Sequence, residues 1–428
     1  MTIIPRDAAP YPSPARAWTT VLVLFLTAVL AYTDRQVLSL LVDPIKAELG
    51  IDDTGMSLLL GTAFAVIYGI AGIPLGILAD RRSRRNLILA GVAIWSLGTL
   101  GCAVAPSFGW LFAARIVVGL GEAVLSPAAI SLISDSFAPN RRGTAVGVYF
   151  TGIAIGVGGS IMIGGAVLDI VGRGLFAGTS LADWSPWRQV LLAIGAPSLL
   201  WALVLLVVRE PVRRDDVVAD GPDAVAAPTG LWTGIAPVFL IVAVASMVDN
   251  AVGAWAPSLL IRQFGVDPAT VGVQLGLLLV LGYGGGMLAG GMLADRFAQW
   301  RGARGKIELC GLAAIATLPA AMLINSASLS AVMTAIPVYF ALSAVVTASG
   351  LSAILDATPN RRRGRAMAIS FFLNVAIGAG IGPTLVALAG QHVFGAGAGL
   401  GPAISLTVIA SYLLATLALL PAIRARRP

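Results

Sequence analysis

Long apolar runs alternate along the chain with short connectors that hold most of its arginines. A run of about twenty apolar residues is the length of a helix that crosses the hydrocarbon core of a bilayer. Twelve such runs can be drawn, at residues 17–42, 56–79, 86–105, 110–135, 143–168, 187–208, 233–260, 269–294, 307–325, 330–356, 365–390 and 402–423. One connector is long and polar, Arg209 to Gly230, with Arg213, Arg214, Asp215 and Asp216 among prolines and alanines, and its composition is that of a linker. The pattern predicts an all-α polytopic membrane protein with twelve transmembrane helices in two six-helix bundles. Its predicted units are a segment 1–16, a bundle 17–208, a linker 209–232, a bundle 233–423 and a tail 424–428.

The two bundles repeat in sequence. GILADRRSRR, Gly76 to Arg85, follows the second span, and GMLADRFAQWR, Gly291 to Arg301, follows the eighth, so Asp80 and Asp295 are 215 residues apart. PNRRGTAVG from Pro139 and PNRRRGRAMA from Pro359, after spans four and ten, are offset by 220. A repeat of six helices on six is the parallel pseudo-symmetry of one transporter class, with its substrate site near the bilayer midplane between the halves.

Composition agrees: of 428 residues 57% are hydrophobic and 11% charged, with mean hydropathy +0.90, which excludes a soluble globular chain. The net charge of +7 is then a matter of topology and not of nucleic acid. The termini and even-numbered connectors hold 22 of the 28 basic residues, whereas the odd-numbered connectors hold Lys46, Arg173, Arg188 and Arg262. This bias predicts that both termini and the linker are cytoplasmic, in what is expected to be a bacterial inner membrane. No removable signal peptide is expected, since the polar segment Met1 to Arg16 leads into a span with no A-x-A-type cleavage site. Cys102 and Cys310 sit in apolar runs without CxxC or histidine neighbours, and read as small core residues. Neither a His-rich metal site, a Ser/His/Asp set nor a Walker motif is present, so an enzyme, a bound metal, a cofactor and an ATP-driven pump are not expected.

The chemistry lies in the few charges inside spans. Arg115 and Glu122 interrupt the fourth span seven residues apart, hence on one helix face and separated by roughly 10.5 Å of rise. Asp34 and Arg35 are adjacent in the first span and point about 100° apart. A charge at membrane depth costs at least ~2.5 kcal/mol, so such residues face a bundle interior or a wet cavity beside a partner. In the second half Asp249-Asn250 sits 215 residues after Asp34-Arg35, with the arginine replaced, and span ten carries no charge. Around it fall Trp255, Tyr283, Tyr339, Phe340, Phe371, Phe372 and Asn374; each aromatic, taken singly, also fits ordinary helix packing. The glycines of spans five and eight read as close-packing faces. Gly284-Gly285-Gly286 follows no strand and is not read as a nucleotide loop, and His392 reads as a surface residue.

Over essentially its whole length the chain resembles the major facilitator superfamily. The signature G-x-L-A-D-R-x-x-R-R is met by Gly76, Leu78, Ala79, Asp80, Arg81, Arg84 and Arg85, and its second copy departs at Ala298, Gln299 and Trp300. Four features are similar to the Spinster family: AYTDRQ from Ala31; R-x-x-x-G-x-G-E-A from Arg115 to Ala123 with Ser126 and Pro127; ISDSF from Ile133 with Arg141 and Arg142; and REP from Arg209. Spinster proteins are thought to export lysolipids and sphingolipid-type amphiphiles. The anion:cation symporters for sugar acids and aromatic acids share the helix 1 Asp-Arg pair and a related helix 4.

The resemblance implies a monomeric secondary transporter working by alternating access, coupled to protons, with helices 1, 4, 7 and 10 around a central cavity. It places Asp34, Arg35, Arg115 and Glu122 in one cluster, with Glu122 and then Asp34 as proton carriers. Arg115, Arg35, Asp249, Asn250, Trp255, Tyr339 and Asn374 become the substrate-binding candidates. It also implies a cytoplasmic latch of Asp80, Arg84, Arg85, Asp135, Arg142 and Glu210 in the first half and Asp295, Asp356 and Arg362 in the second. The expected substrate is an anionic or zwitterionic amphiphile, with small organic anions as the alternative; a transport-inactive receptor or scaffold is the third reading.

Overall fold

The computed structural model describes residues 11–213, 229–358, 363–395 and 399–425. Twelve helices in it are long and apolar enough to cross a membrane. They are α1 (Pro14–Leu40), α2 (Asp53–Gly72), α3 (Arg84–Ala103), α4 (Phe108–Ser136), α5 (Arg141–Gly172), α6 (Pro186–Val207), α7 (Ile235–Phe264), α8 (Pro268–Arg301), α9 (Arg304–Leu323), α10 (Leu329–Ala357), α11 (Ile369–Phe394) and α12 (Leu400–Pro421). The face from which α1 enters is called the terminal face below, because twelve passes return α12 to it.

Local chemistry sets the ends. Ser83, Ser107, Asp267 and Ser328 cap α3, α4, α8 and α10 by accepting a backbone N–H of the first turn. Pro14, Pro186 and Pro268 sit in first turns, where an N–H is not needed. Two boundaries differ from the sequence expectation. The first span does not simply end in a loop, since a short helix Val42–Leu49 follows it and stops at Gly50, whose φ of 64° is left-handed. The eighth span, expected to end at 294, runs to Arg301, so that the second GMLADR motif is helical. Nothing in GMLADRFAQWR breaks a helix until Gly302, at φ 69°.

The packing repeats as the sequence does. The pairs α1–α5, α2–α4, α3–α4 and α3–α6 in the first half recur as α7–α11, α8–α10, α9–α10 and α9–α12 in the second. The halves meet along α5–α8 and α2–α11, again a symmetry-related pair. Along α5–α8 the backbones touch: a Cβ on Gly165 would lie 2.7 Å from the Ala269 carbonyl oxygen, and one on Gly158 2.5 Å from the Val280 nitrogen. These glycines lie towards the face opposite the termini. Nearer the terminal face, Gly143 and Gly147 of α5 and Gly284, Gly285 and Gly291 of α8 meet only open space, so the two helices diverge. On the other seam α2 and α11 each carry a π-turn, Leu58–Thr62 and Asn374–Ala379. Gly61 of the first fits against the Pro383 ring, and Thr62 donates to the Gly380 carbonyl at 3.0 Å. The halves are thus closed on each other at the opposite face.

Candidate functional site

The adjacent charges on α1 part company, as their 100° separation requires. Asp34 is fully buried within the first half and faces the hydroxyls of Thr99 on α3 and Ser198 on α6, although neither of its oxygens makes a hydrogen bond of good geometry. Arg35 turns the other way. Its guanidinium bonds Glu122 of α4 with Nη2 2.5 Å and Nε 3.2 Å from Oε2. It is boxed by rings, 4.0 Å from the centroid of Phe64, 4.8 Å from Tyr32 and 5.8 Å from Tyr68. Arg115 is 1% exposed and works as a brace: Nε donates to the Leu59 carbonyl in the α2 π-turn at 3.3 Å, and Nη1 to the Asp34 carbonyl at 3.5 Å. Exposure separates the four: Asp34, Arg115 and Glu122 are between 0% and 2%, whereas the Arg35 side chain keeps 17%. Arg115 therefore ties α4 to α1 and α2, and of the two arginines Arg35 is the one whose side chain keeps exposed surface. The ring box is not legible in the sequence, because Tyr32, Phe64 and Tyr68 stand in an apolar background where an aromatic is unremarked.

In the second half, Asp249 accepts a hydrogen bond from the Tyr339 hydroxyl at 3.0 Å, with Ser343 also beside it. Asn250 is turned back on its own helix, donating to the Ser246 carbonyl at 2.8 Å. Trp255 and Tyr339, expected on a cavity wall, are both fully buried. Trp255 Nε1 donates to the Pro383 carbonyl at 2.9 Å and ties α7 to α11, so it packs and does not line a site. Asn374 opens the α11 π-turn and its carbonyl accepts from Ser246 at 3.2 Å.

The latch residues form clamps inside each half. Arg84, 1% exposed, pairs with Asp135, with Glu210 at 2.7 Å and with the Ser131 hydroxyl at 3.0 Å. Glu210 also receives the backbone N–H of Arg85 at 2.9 Å. Burial pushes the Glu210 carboxyl up, but the Arg85 amide and Arg84 guanidinium outweigh this and hold it below its ordinary value. The Arg85 side chain turns to Asn86, and Arg142 Nε makes no hydrogen bond. In the second half Lys306, absent from the sequence candidates, bonds Asp356 at 2.6 Å and Ser352 at 2.8 Å and lies 3.7 Å from Asp295. The Asp80 side chain and Arg362 lie outside the described residues. Among the described residues these pairs form two clamps, each within a half.

Ion pairs between the halves occur at the opposite face instead. Arg262 at the end of α7 reaches Asp43 at 2.7 Å and Asp53 at 2.9 Å, and Lys46 also pairs with Asp53. Gln391 adds bonds to Thr54 at 2.7 Å and Asp52 at 3.1 Å. A depression of about 870 Å³ beside them, lined by Asp43, Asp52, Arg262, Asn325 and Gln391, contains none of the intramembrane charges.

The comparisons with known proteins bear on this arrangement directly. Residues 24–383 match the family model described as Major Facilitator Superfamily. The chain belongs to that superfamily. It is 31% identical over 396 residues, 90% of this chain and 87% of the relative, to an MFS-type efflux pump of Mycolicibacterium smegmatis. It is 30% identical over 263 residues to human protein spinster homolog 1, a stretch that is 59% of this chain and 47% of the human protein. In fold it matches, at TM-score 0.77, 24% identity and 96% of each chain, the crystal structure of a bacterial homologue of the human lysosomal transporter Spinster in an inward-facing, unoccupied conformation. The chain is therefore a multi-pass transporter of the major facilitator fold, not an enzyme, and the likeness to Spinster drawn from AYTDRQ and the Arg115–Glu122 motif holds.

Proposed function

We propose that this transporter is driven by protons, lies in a bacterial inner membrane with its terminal face in the cytoplasm, and moves an amphiphile with an anionic or zwitterionic headgroup, of lysolipid or sphingolipid type. The observation that carries this reading is the Arg35–Glu122 pair in its ring box: one cation, accessible on one side, whose counter-ion is a buried carboxylate 2.5 Å away. An anionic headgroup entering from the terminal side competes with Glu122 for Arg35. A Glu122 that loses the guanidinium is left desolvated and unpaired, and a proton neutralises it. Protonation of Glu122 conversely frees Arg35 for the anion. Headgroup and proton thus bind in one linked step. Tyr68 beside Arg35, and Phe150 with Phe371 stacked on it at 6.0 Å, are partly exposed rings that offer the amphiphile's tail apolar surface. Asp34, with Arg115 as its nearby cation, is the second carrier in this reading, and the Asp80 motif belongs to the conformational switch.

The test is flux in proteoliposomes under an imposed pH gradient, with a lysophospholipid and a sugar acid offered in parallel. The expected result is gradient-dependent movement of the lysophospholipid and a small response to the sugar acid. Sugar-acid flux alone would assign the Arg35 site to small organic anions.

A further inference from the structure

We propose that Asp249 is a second proton-binding site, in the second half of the molecule, separate from the Arg35–Glu122 pair and served by a chain of hydroxyls from Tyr339, Ser343 and Tyr412. The proposal rests on the reading of the chain as proton-driven, and adds to it a carrier in the other bundle.

The argument begins with what faces each intramembrane acid. Glu122 is paired with Arg35, and Asp34 has Arg115 beside it. Asp249 occupies the position 215 residues after Asp34, but Asn250 stands where Arg35 would be, and span ten supplies no charge where the fourth supplies Arg115. Among the described residues no lysine, arginine or histidine faces it. The groups that do are Tyr339 and Ser343 of α10, and Tyr283 of α8 stands within electrostatic range. Tyr412 of α12 lies behind Ser343, their hydroxyls 2.7 Å apart. Ser246 and Asn250 flank it on α7 and bond each other; α11 and α1 present no titratable side chain to it. An ionised carboxylate that has only hydroxyl donors and no cation at membrane depth is costly by several kcal/mol, and uptake of a proton removes that cost.

Two further observations point the same way. The hydroxyls backing the two acids come from the same place in each half: Ser198 of α6 behind Asp34 and Tyr412 of α12 behind Asp249. The symmetry has thus kept an intramembrane acid with a hydroxyl from the last helix of its bundle, fully buried for Asp34 and partly buried for Asp249, while the cation has been lost on one side only. Secondly, Tyr283 lies in range of both Asp249 and Tyr32 of α1, and Tyr32 is one wall of the Arg35 box. Tyr283 therefore stands between the second acid and one wall of the first site.

The experiment is infrared difference spectroscopy of the purified protein in lipid bilayers, titrated through the pH range without any substrate, reading the C=O stretch of protonated carboxylic acids. Asp249→Asn should lose one carboxylic-acid band present in the wild type. Tyr339→Phe should keep that band and shift its frequency, since the hydrogen bond to the carboxyl is gone; it also covers the case in which Asp249→Asn does not fold. Spectra of Asp249→Asn identical to wild type across the titration would overturn the proposal, and so would loss of the band at constant pH on adding sodium, which would make the site one for a metal cation. Glu122→Gln is measured alongside: if it removes a band of its own while Asp249→Asn does not, the first carrier stands and the second falls.

Discussion

At the scale of single residues, spacing said much and said it unevenly. A spacing of seven does place Arg115 and Glu122 on one face of α4, and both are buried. What spacing could not tell is which neighbour each would find. Arg115 meets a carbonyl in the α2 π-turn and the backbone of Asp34, so its removal should be felt first in stability. Arg115→Ala leaves Asp34 without a nearby cation, and loss of one member of a buried charged set costs ~3–5 kcal/mol. The expected outcome is a lowered melting temperature in detergent, with headgroup affinity falling only as the fold loosens. Normal melting with lost binding would restore Arg115 as the anchor. Glu122→Gln keeps the shape and a hydrogen-bonding group beside Arg35 but cannot exchange a proton. It should bind substrate at least as well as wild type and lose flux driven by a pH gradient, a split read by binding and flux on the same preparation. Gradient-driven flux at the wild-type rate would pass the carrier's role to Asp34.

At the scale of helices, the apolar runs located all twelve spans, because length and hydropathy in a bilayer admit few alternatives. Their ends were less legible. The charges of GMLADRFAQWR look like a connector, yet charge alone does not stop a helix, and α8 continues until a glycine can take a positive φ. The π-turns at Leu58–Thr62 and Asn374–Ala379 left no readable mark either, since they answer to packing between α2 and α11. The glycines of α5 and α8 were legible as close-packing faces, but which of them touch depends on the conformation. Gly158 touches backbone in the closed arrangement, with no side chain that could move aside. Gly158→Val should therefore disfavour closure at the opposite face. Spin labels on the opposite-face ends of α1 and α7 should report a longer distance than in wild type, while labels within the first half should not move. An unchanged distance across the halves would mean that α5 and α8 slide to accommodate the methyls.

At the scale of the whole molecule, the repeat of six helices on six correctly implied two bundles, and the charged connectors pointed to a latch without saying which charges would pair. The sequence could not say whether Arg84 would reach across the halves or stay within its own, because that depends on where Glu210 comes to rest after α6. It caps α3, so the clamp ties α3 to α4 and to the end of α6, as Lys306 with Asp356 ties α9 to α10. Exposed pairs across the halves are worth ~0–1 kcal/mol each. Arg262 bridging Asp43 and Asp53 is therefore suited to a contact that forms and breaks in each cycle, whereas buried Arg84 is suited to one that persists. This difference predicts a pH dependence. The folded Glu210 carboxyl is held below its ordinary value, so its contribution is fully present above the unfolded carboxylate pKa of about 4.3 and fades as pH falls through the lower folded value. Glu210→Gln should therefore be less stable than wild type near neutrality, by ~1–2 kcal/mol for charge-assisted bonds that are partly exposed. The gap in melting temperature should close as the pH is lowered from 6 towards 3, where wild-type Glu210 becomes neutral as well. Other acids titrate in both proteins and cancel in the comparison. A gap that stays constant across that range would show that the carboxylate charge is not what holds α3 to the end of α6.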